Sequence, residues 1–251
     1  MQLHIRSDGR SDGILRWPGW EDLSWLVHGF TTRASGDFRT LPPDATTAVG
    51  AEGEGMVLTT ARQIHTDLVH CVRRDPAPRS NEARPQADAL MTNQPGALLA
   101  VRTADCVPLL LIDRRVRAVA AVHAGWRGTL KQVAGRAVEA MRREYGSQPS
   151  DLEAVIGPGI GPCCFEVGLD IAEQFHPSFV VSSGLRDGQR PRVHLPEANR
   201  SQLIAREVPA GQVWSSQLCT GCRSDEFFSH RREGAEAGRM LALVGIRAEI
   251  D

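Results

Sequence analysis

Three apolar runs follow one another closely in the middle of this chain: Ala97-Leu-Leu-Ala-Val101, Val107-Pro-Leu-Leu-Leu-Ile112 and Val116-Arg-Ala-Val-Ala-Ala-Val122. Each has the length of a strand, and the last two are nearly continuous in apolar character, the pattern of strands covered on both faces. The links between them are too short to hold crossover helices. Directly afterwards, Leu130, Val133, Ala134, Ala137, Val138 and Met141 fall at i, i+3, i+4, i+7, i+8 and i+11, with Lys131, Gln132, Arg136, Glu139 and Arg142 on the opposite side. That spacing predicts an amphipathic helix, with Gly146 as its stop.

Leu152–Ile156, Gln212–Ser215 and Met240–Ile246 read as further strands, and Leu169–Phe175 and Asn199–Glu207 as helices. Strands outnumber helices, so the expected fold is α+β, a single domain over residues 1–251 with mixed β-sheets flanked by helices. The segments Gly36–Gly55, Arg73–Gln86 and Ser182–Pro196 are rich in Pro, Gly and charge and read as surface loops.

Charge narrows the function. The 29 Lys+Arg balance 30 Asp+Glu to a net −1, which supplies no basic field for nucleic acid. Lys131 is the only lysine, so lysine-based covalent chemistry has one candidate, and no glycine-rich phosphate loop ending in Gly-Lys-Ser/Thr occurs. No apolar run resembles a signal peptide or reaches the length of a membrane span, so the expected location is cytoplasmic and no membrane partner is expected. Six cysteines in 251 residues are too sparse for a disulfide scaffold, which leaves free thiols or metal ligands.

A hairpin turning at Arg114 and Arg115 pairs residues whose numbers sum to 229, and Cys106 and His123 are such a pair. They would face each other with Cα atoms roughly 4.5–5.5 Å apart, close enough to share a metal or a proton. Ala124-Gly-Trp-Arg-Gly128 then leads into the helix, where free N–H groups and Arg127 offer an anion site. The remaining cysteines carry less: Cys163 and Cys164 follow a glycine turn, and Cys219-Thr-Gly-Cys222 lacks a second Cys-x-x-Cys pair.

Gln63-Ile-His65, Ala87-Asp-Ala-Leu-Met-Thr92, Thr103-Ala-Asp-Cys106-Val-Pro108, His123-Ala-Gly-Trp-Arg-Gly128, Gly157-Pro-Gly-Ile160 with Phe165-Glu-Val-Gly168, and Phe227-Phe-Ser-His-Arg-Arg232 with Gly238-Arg239 occur in this order. In this the chain resembles the laccase-domain family, whose members have been described as multicopper polyphenol oxidases and as purine nucleoside phosphorylases. The resemblance implies that His65, Cys106 and His123 bind one Zn2+; spacing alone does not separate His65 from His70. It implies a fold related to that of deamidating cysteine-hydrolase toxins. It also implies phosphorolysis of adenosine, inosine, guanosine and methylthioadenosine, together with adenosine deaminase activity, so the expected partners are purine nucleosides and phosphate.

Two nitrogens and one sulfur leave a fourth zinc position open for phosphate or water. Asp88 is the candidate carboxylate for orienting a ligand or moving protons, and Arg127 the candidate for phosphate. The chain departs from the family pattern at Thr66, where glycine is usual and the pocket could be narrowed, and at His230, where tyrosine is usual. Alternatives are a copper-dependent polyphenol oxidase, since Cu2+ suits the same donors, and a cysteine hydrolase or amidase using Cys106 and His123, as in cell-wall precursor editing. A closed structural zinc would draw a fourth ligand from Cys71 or Cys222. No two of the eight histidines are two residues apart, which disfavours the His-x-His pairs of a multicopper cluster.

Overall fold

The apolar runs form the strands Ala97–Thr103, Val107–Asp113 and Ala118–Ala124, and the first is divided from the other two between different sheets. The structure is a computed structural model that describes residues 4–5, 13–41, 56–73, 84–181 and 190–248. Most of the three expected loops, at 42–55, 74–83 and 182–189, lies outside the described residues.

One sheet runs in spatial order His4–Ile5, Ile14–Arg16, Leu26–Thr31, Met240–Ile246, Ala97–Thr103, Val57–Thr60. The other runs Val213–Ser215, Leu152–Ile156, Val107–Asp113, Ala118–Ala124, Ala89–Thr92, Val69–Cys71. Both are mixed: the first closes with a parallel pair at Val57–Thr60, and the second has a parallel pair at each edge. The α+β architecture with helices flanking mixed sheets is as expected.

Side-chain alternation explains the continuous apolar strands. Leu110, Ile112, Val119 and Ala121 point between the sheets to meet Phe30, Leu99, Val101 and Val244. Their neighbours Leu109, Leu111, Ala120 and Val122 point the other way, to Val133, Ala137, Val138 and Met141 of the helix. Each strand residue therefore faces a core on one side or the other, and none is left for solvent.

Several boundaries differ from the sequence expectation. The amphipathic segment forms two helices, Trp126–Leu130 and Val133–Tyr145, broken at Gln132 in the left-handed region (φ 64°). The helix Leu195–Ala205 supports the break: Gln202 Nε2 donates to the Thr129 carbonyl at 2.7 Å and Arg206 to the Gln132 side chain at 3.0 Å. That helix begins four residues before the expected Asn199, inside the segment read as a loop, because Pro196 sits in its first turn, where its missing N–H has no intrahelical partner to lose. The short strand Arg192–Val193 also lies in that segment. Leu169–Phe175 is helical only over Leu169–Ala172.

Candidate active site

The hairpin that carries Cys106 and His123 turns later than Arg114-Arg115. Asp113 pairs with Ala118, so paired residue numbers sum to 231 rather than 229, and His123 lies opposite Pro108. The buried Asp113 carboxylate causes this, since it accepts the N–H of Arg115 at 2.8 Å and of Val116 at 3.2 Å. Arg117 completes the wider turn in the left-handed region (φ 47°). A slip of two residues moves a partner along the strand but not to the other face. Cys106 therefore meets His123 diagonally, and the residue opposite it is Gly125.

Gly125 has to be small. A Cβ there would lie 2.9 Å from Cys106 Sγ and 2.9 Å from His65 Cδ2. His65 arrives from the loop after Val57–Thr60, with its backbone in the left-handed region (φ 57°). The fully buried Asp88 carboxylate holds that strained loop: it accepts the N–H groups of Ile64 at 3.2 Å, His65 at 3.1 Å and Thr66 at 2.7 Å. The same carboxylate lies 2.8 Å from His123 Nδ1.

Three donor atoms of His65, Cys106 and His123 lie within 4.8 Å of one another, with His65 Nε2 3.9 Å from Cys106 Sγ. The two imidazole rings stand 5.0 Å apart at 75°. A tetrahedral zinc with bonds of about 2.0–2.3 Å needs N···S separations of about 3.6 Å, and the His65 Nε2 to Cys106 Sγ distance of 3.9 Å is a few tenths of an ångström above that. The Asp88–His123 contact is the carboxylate–histidine support found behind metal-ligating imidazoles. The donor set fits a transition-metal ion.

Without an ion the same groups form a charge pair. Burial favours the neutral Cys106 thiol, but the His123 charge and hydrogen bonds from His123 and His65 outweigh it and draw the thiol down to about 6. Burial likewise opposes the charged His123, and Cys106 with Asp88 raises it to about 9. The strand before Cys106 is pinned by Asp105, whose φ is 84° and whose carboxylate accepts the Thr220 hydroxyl and the Arg231 N–H, each at 2.6 Å.

The three residues open onto a cavity of about 420 Å³, within the roughly 300–1,000 Å³ of small-molecule sites. Its walls include the guanidinium-bearing Arg39, Arg102 and Arg239, together with Gln63 and His230. Two of the residues chosen from sequence stand elsewhere. Arg127 is exposed, with its guanidinium over the Trp126 ring at 4.2 Å, and is not a lining residue. Asp88 lies behind His123, with both oxygens engaged, and is not among the residues lining the cavity. Thr66 is buried and is not among the residues that line the cavity. Neither proposed fourth ligand reaches the triad: Cys71 Sγ is 3.1 Å from the Tyr145 hydroxyl, and Cys222 lies among other cysteines.

The arginines carried little local signal. Arg102 precedes the Thr103–Cys106 motif, and Arg239 and His230 lie within motifs already noted, but Arg39 stands in a loop-like, charge-rich stretch. Gln63 fixes Arg102 through paired hydrogen bonds to its main chain, both 2.8 Å. Burial, followed by the charges of Arg84 and Arg239, pushes Arg102 below the usual guanidinium value. Such crowded cations favour an anion.

Residues 44–247 match the family described as multi-copper polyphenol oxidoreductase laccase. A protein named purine nucleoside phosphorylase from Bacteroides thetaiotaomicron is 42% identical over 163 residues, 63% of this chain and 60% of that protein. A protein named adenosine deaminase, from an unknown prokaryotic organism, is 40% identical over 161 residues, 62% of this chain and 61% of that protein. The matches thus cover about 60% of the length of these relatives. The crystal structure of YlmD from Geobacillus stearothermophilus superposes with a TM-score of 0.81 at 30% identity, over 99% of this chain and 100% of that one.

Proposed function

The chain belongs to the multi-copper polyphenol oxidoreductase laccase family, and we propose that its cavity works as a zinc-dependent purine nucleoside phosphorylase that also deaminates adenosine. The observation that carries this reading is the meeting of a metal-competent triad, His65, Cys106 and His123, with Arg39, Arg102 and Arg239 around one cavity. Relatives named for phosphorylase and deaminase activity support it. Adenosine, inosine, guanosine and methylthioadenosine are the proposed nucleosides, and a cytoplasmic setting would keep Cys106 reduced.

A zinc ion at the triad would supply a Lewis acid with one position open to phosphate or water. The chain's own residues would do the rest. Arg102 and Arg239 would hold phosphate by charge-assisted hydrogen bonds, Arg102 being aimed by Gln63. A phosphate oxygen then bonds to ribose C1′ as the C1′–N9 bond breaks, and the purine leaves with the bonding electrons and takes a proton. His230, on the cavity wall, would give that proton. In deamination water adds at C6 and the amino group leaves as ammonia. Asp88, 2.8 Å from His123 Nδ1, would orient the ring with its other nitrogen toward Cys106.

A copper oxidase cluster is a poorer fit, because among the described residues the metal-competent groups hold only two histidines, His65 and His123. The cysteine-hydrolase reading has one observation in its favour, the Cys106–His123–Asp88 order of a nucleophile, base and orienting carboxylate.

Metal analysis and a nucleoside assay decide between them. Base released from nucleosides only when phosphate is present, and lost in Cys106→Ala and Arg102→Gln, is the expected result. Inosine formed from adenosine without phosphate would establish the deaminase arm. Turnover retained in Cys106→Ala would overturn the proposal, and amide hydrolysis by zinc-free protein would favour the hydrolase.

A further inference from the structure

The four cysteines outside the triad meet at a second place. Cys163 and Cys164 lie in the turn after Gly161, and Cys219 and Cys222 in the loop after Val213–Ser215. A parallel bridge between Gly159 and Cys219 brings the two together. Sulfur to sulfur, Cys163 and Cys222 are 3.3 Å apart, Cys164 and Cys222 3.4 Å, and all four lie within 4.8 Å of one another.

We infer that Cys163, Cys164, Cys219 and Cys222 form a second metal site, which takes one zinc ion in all-thiolate tetrahedral coordination. Zn–S bonds of about 2.3 Å place the sulfurs of such a tetrahedron about 3.8 Å apart, a few tenths of an ångström beyond the 3.3 and 3.4 Å seen here and inside the 4.8 Å within which all four sulfurs fall. Four soft donors with no open position are the donor set of a structural zinc.

The surroundings are built for the sulfurs. A Cβ on Gly221 would lie 2.9 Å from Cys164 Cβ and 3.1 Å from its Sγ, and a Cβ on Gly161 3.3 Å from Cys163 Sγ. A side chain at Gly221 would press on Cys164, so glycine there lets the two turns close on the cluster. The Gly161 N–H donates to Cys219 Sγ at 3.2 Å, a contact that stabilises thiolate charge. Two guanidinium groups brace the same turns: Arg232 Nε donates to the Gly221 carbonyl at 2.6 Å and Arg231 to the Cys164 carbonyl at 3.4 Å. Cys163 and Cys222 are exposed, so an ion has a path in.

The site also has a consequence for the triad. Thr220, between the paired cysteines and fully buried, donates to Asp105, and the Ile160 N–H donates to the Asp105 carbonyl at 2.7 Å. An ion joining the two turns would thus hold Asp105 in its left-handed conformation, immediately before Cys106.

The test uses full-length protein purified under reducing conditions and dialysed against zinc. His65→Ala/His123→Ala should retain one zinc per chain, and Cys163→Ser/Cys222→Ser should lose that ion. With Co2+ in place of zinc, the His65→Ala/His123→Ala protein should show the strong sulfur-to-metal absorption of tetrahedral thiolate coordination. That spectrum decides the matter even where the cysteine variant fails to fold. A histidine variant that binds no metal would overturn the inference, as would a mass showing that the four thiols are paired as disulfides.

Discussion

Asp88 lies 2.8 Å from His123 Nδ1 while the same carboxylate accepts three consecutive N–H groups at Ile64, His65 and Thr66. One buried side chain thus orients the ring of His123 and holds the strained backbone of His65. Asp88→Asn should lower metal affinity about 10–100-fold, the usual effect of losing such a partner. Competition with a chelator measures this, and an unchanged affinity would mean that both histidines keep their places without the carboxylate.

Gly125, by its lack of a side chain, leaves the space that Cys106 Sγ and His65 occupy. Gly125→Ala adds a methyl group 2.9 Å from each of them. Its φ of −72° suits any residue, so the clash is steric and confined to the donors. The variant should fold, as judged by circular dichroism, and bind markedly less metal at the triad. Full metal loading would show that the donors can spread without loss.

Metal-free protein should reveal the charge pair at the triad. With Cys106 drawn down to about 6, its alkylation by iodoacetamide should reach half its plateau rate near pH 6 instead of near 9. In His123→Ala the midpoint should move up by at least one unit, because the main opposing charge is gone. A midpoint that does not respond to this change would remove His123 as the cause.

His28 offers a pH effect on stability away from the site. Burial lowers its pKa to about 4, against a smaller opposing effect of its hydrogen bond to the Trp17 backbone, whose N–H and carbonyl oxygen lie 3.0 and 3.2 Å from its Nε2. An unfolded histidine titrates near 6.5. Stability should therefore be full above about pH 6.5 and fall as the pH drops toward 4, by up to about 3 kcal/mol, because only the unfolded chain takes up the proton. Urea unfolding of the native protein and His28→Gln should show this extra slope in the native protein alone. Parallel slopes would assign acid sensitivity to other groups.

Much of the scaffold was readable locally. The continuous apolar runs at 107–113 and 118–124 announced strands buried on two faces, and the i, i+3, i+4 pattern announced the helix against them. Ordered short motifs were enough to bring His65, Cys106 and His123 into one hypothesis. The break at Gln132 was not readable, since the apolar spacing runs on unchanged through it and the groups that stabilise it come from the later helix Leu195–Ala205.

Periodicity and motif order reach only as far as neighbours along the chain, and that range covered the element types and the shared face of Cys106 and His123. Choosing among cations lay beyond it. Arg127 and Arg239 lie in the ordered motifs and Arg39 and Arg102 do not, yet Arg39, Arg102 and Arg239 line one cavity because they come from loops and strand ends far apart in sequence that the two sheets bring together. The four-cysteine cluster arose in the same way: two adjacent cysteines and a distant Cys-x-x-Cys share no local pattern, and their sulfurs meet only because the Gly159 and Cys219 backbones pair.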